Sequence, residues 1–267
     1  MTDWDDRIAA VTERELRTLL RSRTYALLAG GYAFLLLAVT VVSGASGYVP
    51  LVLTLLTPLE LLVPILAAAL GYRSILSDRE SGELDVLRTY PVTQGEYVFG
   101  VYFGRLVAIT AIVVVPLLLI SVAVPIVGGA PTFLPQPSGL DSPILYLRFV
   151  TLTAVFSAVL LAIMTLISAV ATSNRRGLVF AVLAVLTVGI LIDVAAIAGL
   201  ASGLSKNWSV VTLLGPTGAY RGLVMALVVA TITSTEPGSI VVSTVSLLCW
   251  VTLSLLVATW NVWASTP

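Results

Sequence analysis

Residues 49–71 read VPLVLTLLTPLELLVPILAAALG, and this stretch decides the fold class. It carries one charged residue, Glu60, in 23 positions. A helix needs about 20 predominantly apolar residues to cross the hydrocarbon core of a bilayer. The stretch is therefore long and apolar enough to form a transmembrane helix.

Five further runs of similar composition occur along the chain. Hydrophobic residues make up 58% of the 267 positions and charged residues 10%, against about 25% charged in an average soluble domain. We therefore predict an all-α polytopic integral membrane protein with six transmembrane helices in one domain, residues 25–264, and no separate soluble domain. The predicted spans are 25–42, 49–71, 98–124, 145–171, 178–204 and 240–263.

Basic residues are divided unevenly between the two sides of this predicted domain. With the amino terminus inside, eleven arginines are cytoplasmic and three basic residues are outside, as the positive-inside rule requires. Both termini are then cytoplasmic in a multi-pass protein of the plasma membrane, with outer loops at 127–144 and 205–239. The cytoplasmic arginines are Arg7, Arg14, Arg17, Arg21, Arg23, Arg73, Arg79, Arg88, Arg105, Arg175 and Arg176, and the outer residues are Arg148, Lys206 and Arg221.

Residues 1–24 precede the first span and form a cytoplasmic amphipathic tail. Between Asp5 and Arg23, apolar residues are interspersed among charged ones in a pattern that favours an amphipathic helix. Such a helix either lies in the inner membrane interface or is a solvated lead-in to the first span. The sequence leaves both interpretations open.

An apolar segment near the carboxyl end, Leu223–Thr233, is too short to count as a further span. Only 14 residues separate Arg221 from Glu236, and Gly215-Pro216 interrupts any helix upstream. We predict that residues 208–233 form a re-entrant or interfacial helix pair on the outer face. Such a pair must pack on protein, because lipid cannot satisfy irregular backbone.

The cytoplasmic loop 73–97 has more internal order than a simple connection between two spans needs. Gly82 favours a break in the helix, apolar residues recur every third position from Leu84 to Tyr90, and Pro91 ends the pattern. The loop therefore predicts a short helix lying across the inner surface of the membrane.

A capping box closes the same loop, because Thr93 and Glu96 have the spacing at which each side chain satisfies the other's free amide. The third span is predicted to begin there. The short helix before it has an apolar edge and a charged edge with Glu83, Asp85 and Arg88. An ordered amphipathic element of this kind indicates a docking surface for a cytoplasmic partner.

Several blocks of the chain resemble the type-2 ABC transporter permeases. In the loop these are Glu80, Gly82-Glu83-Leu84, Leu87, Tyr90-Pro91-Val92 and Gly100. The tail block Glu13–Arg17 and the outer segment Leu214–Arg221 also resemble that family. The Thr89-Tyr90-Pro91 step is similar to the subgroup associated with copper-enzyme maturation, the permeases encoded with nitrous oxide reductase accessory proteins.

The resemblance implies a coupling helix, roughly Gly82 to Tyr90, that inserts into a groove of a separate P-loop ATPase subunit and transmits nucleotide-driven closure to the spans. It also implies a second permease copy, in a homodimer or heterodimer, and is compatible with an outer-face accessory protein. The implied ATPase-coupling positions are Glu80, Gly82, Glu83, Leu84, Leu87, Tyr90 and Pro91.

The chain lacks the sequence features of an ATPase or a hydrolase. A phosphate-binding loop ends in Lys-Ser or Lys-Thr, whereas the single lysine, Lys206, is followed by Asn207. The absence of histidine excludes a Ser-His-Asp triad and a His-based zinc site. We predict a transport subunit that is not an enzyme and holds no cofactor or metal. The net charge of zero argues against a nucleic-acid partner.

Copper ions are normally passed along Cys, Met or His ligands. Apart from its first residue, the chain offers Cys249, Met164 and Met225, which are too scattered to form a relay. A sulfur-containing precursor or another small molecule is therefore as plausible a substrate as a copper ion.

Two acidic residues lie inside predicted spans, Glu60 and Asp193. A charged acid facing lipid at the centre of a span costs at least about 2.5 kcal/mol, so both should face protein or a cavity. Each is either a protonated carboxyl bonded to a nearby hydroxyl or backbone carbonyl, or part of a transport pathway or gate.

Three functions are consistent with these residues. The leading one is the membrane subunit of an ABC exporter that acts as a dimer with two ATPase subunits. A secondary transporter that uses Glu60 or Asp193 as its ion site is the first alternative. A membrane assembly factor that transports nothing is the second.

Overall fold

The computed structural model describes residues 3–45, 47–90, 92–127, 142–188, 212–230 and 240–263. Within these ranges every regular element is helical, which confirms the predicted all-α class. The helices are α1 (Asp3–Leu20), α2 (Arg23–Ser43), α3 (Tyr48–Gly71), α4 (Leu76–Glu80), α5 (Glu83–Leu87), α6 (Gln94–Val127), α7 (Pro143–Val170), α8 (Asn174–Leu186), α9 (Pro216–Val224) and α10 (Ile240–Asn261). A short π-helical stretch, Met225–Val229, continues α9.

Five helical stretches in the described residues are long and apolar enough to cross a membrane. They are α2, the run Tyr48–Glu80 that contains α3 and α4, residues Gln94–Val122 of α6, and the helices α7 and α10. They correspond to the first four predicted spans and the sixth. The fifth predicted span, 178–204, begins in α8, and its residues 189–204 lie outside the described residues. Much of the two predicted outer loops, 127–144 and 205–239, lies outside them as well.

Polar side chains set several helix ends. The amide of Thr93 donates to Glu96 Oε2 at 2.6 Å and the amide of Glu96 donates to Thr93 Oγ1 at 3.3 Å, so the predicted capping box is confirmed. Ser142 and Ser173 cap α7 and α8 by accepting from amides of the first turn. These caps fix where the chain enters each helix.

The centre of the molecule is formed by α3 and α7. Leu55 and Leu59 of α3 and Phe149 and Phe156 of α7 are fully buried. By contrast, α2 lies at the periphery and exposes large apolar side chains such as Phe34. An apolar outer surface is what a surrounding bilayer requires, since lipid chains are as apolar as leucine.

The amphipathic tail helix α1 packs on the first turns of α6. A Cβ atom added to Gly100 would lie 2.6 Å from Cβ of Val11, and one added to Gly104 would lie 2.7 Å from Cβ of Glu15. Two glycines four residues apart allow this close approach of two helices. The hydroxyl of Thr12 adds a hydrogen bond of 3.2 Å to the carbonyl of Gly100. The tail helix α1 is therefore packed on the membrane domain.

Candidate functional site

The segment expected to form the coupling helix, Gly82–Tyr90, contains a shorter helix. The five residues of α5, Glu83–Leu87, are followed by a turn that reaches Tyr90. Gly82 has a φ of 75°, in the left-handed region that glycine enters without steric cost, and it separates α4 from α5. Pro91 lies outside the described residues.

The apolar residues of this segment divide into two groups that point in different directions. Leu84 is 3% exposed and belongs to the hydrophobic core, and Leu87 is half-buried against that core. Val86 and Tyr90 are instead 56% and 61% exposed. Leu84 and Leu87 therefore anchor α5 to the membrane domain, while Val86 and Tyr90 expose most of their apolar surface.

The guanidinium of Arg14 joins α1 to this segment. It donates to Asp78 Oδ2 at 2.8 Å and to Glu15 at 3.1 Å, and it also binds the carboxylate of Glu83. Burial by itself lowers the pKa of Arg14, but the hydrogen bond to Asp78 and the three carboxylate charges outweigh it and raise the pKa above its ordinary value. The arginine thus holds α1, α4 and α5 together as a fixed cation.

Two buried carboxylates complete this charge cluster. Asp78 also accepts from the hydroxyl of Tyr97, at 2.8 Å. Glu15 accepts from Nε of Arg105 at 3.1 Å, and Arg105 in turn donates to the carbonyl of Leu70 at the end of α3. Buried charges are tolerated when they are paired and hydrogen-bonded, as these are. The cluster connects α1, α3, α4 and α6 at one end of the bundle.

Glu80, the remaining acid among the expected coupling positions, caps another helix. Its Oε1 accepts from the amide of Asn174 at 2.8 Å, at the start of α8. A carboxylate at the amino end of a helix is favoured by the helix dipole and by the free amides there. Arg73 lies 3.7 Å from the other carboxylate oxygen. Glu80 therefore contacts the membrane domain itself.

The acid expected within the second span, Glu60, is 4% exposed and faces protein. Nε of Arg221 donates to its Oε1 at 2.8 Å, and Nη2 of the same arginine binds Oε2. This fork-to-fork geometry is the strong form of an arginine–carboxylate pair. Of the two alternatives that the sequence left open for Glu60, the one with a hydroxyl or backbone carbonyl as partner is wrong, because the observed partner is a cation from α9. A role in a transport pathway or gate stays a prediction. Asp193, the other expected acid, lies outside the described residues.

The neighbours of this ion pair tie α9 into the bundle. Tyr220 is fully buried, stacks on Phe156 with ring centroids 4.5 Å apart, and shares a hydrogen bond of 2.9 Å with the hydroxyl of Thr153. Just before α9, the carbonyl of Leu214 accepts from the indole of Trp250 at 2.9 Å, midway along α10. Consequently α9 is packed among helices α3, α7 and α10.

Sequence reasoning missed Arg14, Glu15, Asp78 and Arg105 as site residues. From the sequence, the tail charges were expected at the membrane interface or in solvent and the loop charges on a docking surface, whereas the structure brings these four residues together in one largely buried cluster. One signal was available, because the small residues Gly100 and Gly104 four positions apart predict close helix packing on α6. That packing carries the charged face of α1 into the protein.

The described residues contain no group of three or more His, Cys, Asp or Glu side chains arranged to hold a metal ion. A comparison with curated proteins found no match. The sequence model of the family described as "ABC-2 family transporter protein" matches residues 9–262, which includes the loop, most of the tail helix α1 and all of α2 to α10. This match confirms the resemblance to type-2 ABC permeases, whereas the copper-related subgroup stays a prediction. The chain therefore belongs to the ABC-2 transporter family and is a multi-pass membrane permease subunit of an ABC transporter, in a family whose members work with an ATPase subunit.

Proposed function

We propose that this permease is of the exporter type and that the segment from Gly82 to Tyr90 is its coupling helix, which receives the movement of a separate ATPase subunit. The observation that carries the proposal is that the segment Gly82–Tyr90 has an anchored side and an exposed side. Leu84 is buried in the membrane domain while Val86 and Tyr90 are more than half exposed. A force applied to the exposed side would be passed to the helices through the anchored side.

The surroundings of α5 support the same role. At this end of the bundle, α5 lies next to α1, which carries Arg14, and next to the carboxyl end of α10. Both chain termini would then lie in the cytoplasm, in agreement with the distribution of arginines. The exposed apolar residues Val86 and Tyr90, together with the exposed carboxylate of Asp85 next to Val86 in the chain, have the mixed character of a protein-docking surface.

We propose that residues 208–233 form a re-entrant helix pair and that α9 belongs to the second of its two helices, which returns to the outer face. The contact between Leu214 and Trp250, midway along α10, supports a depth well inside the membrane domain. The pair between Glu60, midway along α3, and Arg221 supports the same depth. We propose that Glu60 fixes this second helix and belongs to the gate of the transport pathway. Asp193 is kept as a proposed pathway residue on its sequence position alone.

Within the permease family, we propose that this chain belongs to the subgroup with a role in copper-enzyme maturation. It rests on the similarity of Thr89-Tyr90-Pro91 to that subgroup. Because the soft ligands Cys249, Met164 and Met225 are too scattered to pass a copper ion along, the proposed cargo is a sulfur-containing precursor or another small molecule. The proposed assembly contains two permease copies and two ATPase subunits, with room for an accessory protein on the outer face.

Copurification tests the docking proposal. The permease is expressed together with its ATPase subunit, and Val86→Asp/Tyr90→Asp is compared with the wild type. We expect the double variant to insert and fold normally but to lose the ATPase, because two charges replace the apolar docking surface. Leu20→Asp is the matched control, since Leu20 is an exposed apolar residue at the end of α1, in another helix, and should keep the ATPase. Unchanged copurification of the double variant would refute the docking role of α5.

Flux measurements separate this proposal from the secondary-transporter alternative. Vesicles containing the permease alone should show no transport driven by a proton gradient, because the carboxylate of Glu60 is bound by Arg221. Gradient-driven flux without the ATPase would favour the alternative.

A further inference from the structure

Three consecutive residues at the end of α4, Asp78, Arg79 and Glu80, contact different parts of the bundle. Asp78 binds Arg14 of α1 and Tyr97 of α6. Glu80 binds the first amide of α8. The contacts of Arg79 are the most extended, because this one side chain reaches the ends of two membrane-crossing helices.

The guanidinium of Arg79 binds three backbone carbonyls. Its Nη1 donates to Ala171 O at 2.7 Å, and its Nη2 donates to Ala169 O at 2.9 Å and to Val262 O at 3.2 Å. Ala169 and Ala171 end α7, and Val262 follows α10. The last carbonyls of a helix have no partner within the helix, and a cation there is favoured by the helix dipole. Arg79 therefore holds two helix ends side by side.

Helix α7 returns the contact. The hydroxyl of Ser168, fully buried in α7, accepts from the amides of Ile75 at 2.9 Å and Leu76 at 3.0 Å, which begin α4. Thus Ser168 caps the start of α4 while Arg79 of α4 caps the end of α7. Two helices that satisfy each other's free backbone groups cannot separate without exposing buried polar groups.

A second arginine strengthens the hold on α10. Beyond α5, Nη2 of Arg88 donates to the carbonyl of Trp263 at 2.8 Å, and its guanidinium lies 6.0 Å from the centroid of the Trp263 ring. The end of α10 is therefore bound on both sides of α5, by Arg79 before it and by Arg88 after it.

We propose that Arg79 is the positioning residue that makes α4, α5, α7 and the end of α10 one rigid unit, so that movement received at α5 reaches α7 and α10 directly. This inference rests on the proposed coupling role of α5. The rigid planar fork of arginine holds Nη1 on Ala171 O and Nη2 between Ala169 O and Val262 O, whereas lysine presents a single nitrogen on a flexible stem. Arg79→Lys therefore keeps the charge, but the two helix ends are no longer held in one fixed geometry.

Distances between spin labels test the inference first in the isolated permease. Labels are placed at Ser81→Cys, between α4 and α5, and at Ile144→Cys, at the start of α7. Both positions are exposed and lie outside the proposed docking surface, and the Cys249→Ser background has no other cysteine. We expect one narrow distance distribution in the parent protein and a broadened one in Arg79→Lys. Ser168→Ala, which removes the reciprocal cap, should broaden it too, and it serves as a second variant where Arg79→Lys folds poorly.

The matched control is Arg176→Lys. Arg176 is exposed at the same end of the bundle, and its guanidinium binds the nearby hydroxyl of Thr172. This variant should keep the narrow distribution. Distributions for Arg79→Lys and Ser168→Ala that match the parent would overturn the inference. This stage needs no ATPase, so it stands apart from the fate of the docking proposal.

The second stage uses the complex with the ATPase, nucleotide-free and trapped with ADP and vanadate, with labelled permease diluted in unlabelled copies. A rigid unit predicts the same distance between positions 81 and 144 in both states of the parent protein. In Arg79→Lys, α5 should move without α7, and the mean distance should shift by about 2 Å or more between the states. A shift of that size in the parent would overturn the inference, as would an invariant distance in Arg79→Lys. Loss of the ATPase from the parent complex would instead refute the docking proposal.

Discussion

Arg221 and Glu60 are 161 positions apart in the sequence and form a two-pronged ion pair in the interior of the membrane domain. Glu60 contributes a carboxylate with almost no exposure, and Arg221 contributes a side chain that is 38% exposed. Breaking a buried pair by removing one partner is far more costly than replacing both partners, because the remaining charge keeps its desolvation penalty. The pair should therefore behave as a unit in mutational tests.

Arg221→Met should lower the free energy of unfolding by about 3 kcal/mol, the lower end of the range for buried pairs, because Arg221 is partly exposed. Glu60→Leu should cost less, since the remaining guanidinium can reach solvent. The double variant should recover much of the loss. Thermal unfolding in detergent compares the stability of the three variants with that of the wild type.

Arg148→Met is the matched control for this cycle. Arg148, near the start of α7, donates to the carbonyl of Leu227 at 3.2 Å and is exposed, so its loss should change stability little. Strictly additive effects in the double variant would show that Arg221 and Glu60 do not act as a pair.

Gly104→Ala should loosen the tail helix α1. An added Cβ would lie 2.7 Å from Cβ of Glu15 and 2.8 Å from the carbonyl of Thr12, and this backbone atom cannot simply rotate away. Overpacking of this kind costs about 1–3 kcal/mol, offset by up to about 1 kcal/mol of gained helix propensity. Gly95→Ala is the control, because a Cβ there meets nothing within 4 Å. Thermal unfolding should show a loss at position 104 and none at position 95, and equal effects would exclude close packing of α1.

The partner of Glu60 illustrates what could not be predicted from the sequence. An acid between two prolines in an apolar run shows that a buried polar group needs a partner, and this much was predicted. The identity of the partner depends on how α9 folds back among α3, α7 and α10, which no local pattern encodes. Helix class, the capping box and five spans were predictable because composition and short-range spacing determine them.

The orientation of α5 is a second feature that could not be predicted from the sequence. A spacing of three correctly places Leu84 and Leu87 on one side of a helix, but amphipathicity alone does not say whether that side faces the partner or the rest of the chain. The structure places Leu84 in the core and leaves Val86 exposed. The inward-facing contacts of Asp78 and Arg79 could likewise not be predicted, because these residues lie in a polar stretch of the loop that resembles a solvent-exposed edge.

Leu84→Asp should therefore act on folding, whereas Val86→Asp should act on partner binding alone. A charge at a site that is 3% exposed has lost its solvation, so Leu84→Asp should reduce the yield and thermal stability of the inserted permease. Val86→Asp should match the wild type in both measurements. Size-exclusion profiles and thermal unfolding of the permease alone decide the matter, and the opposite ranking would show that α5 is turned the other way.

Arg14→Gln should release α1 from the loop. The substitution removes the cation shared by Asp78 and Glu83, so trypsin should cut faster in the connection between α1 and α2. Arg17→Gln is the control, since Arg17 is 71% exposed and binds Glu13 on its own helix. Mass spectrometry of the fragments gives the rates, and equal rates for the two variants would contradict a role of Arg14 in attachment.

The attachment of α1 through Arg14 should not depend on pH in the neutral range. Burial lowers the pKa of Arg14, but the hydrogen bond to Asp78 and the nearby carboxylates outweigh it and raise the pKa above its unfolded value. A raised pKa in a basic group adds stability that is fully present below the unfolded pKa and is lost only at higher pH, so nothing should change between about pH 6 and pH 9. The ratio of the trypsin cleavage rates of Arg14→Gln and the wild type, which cancels the protease's own pH dependence, should stay constant. A ratio that falls towards one at the upper end would mean that the arginine loses its charge there.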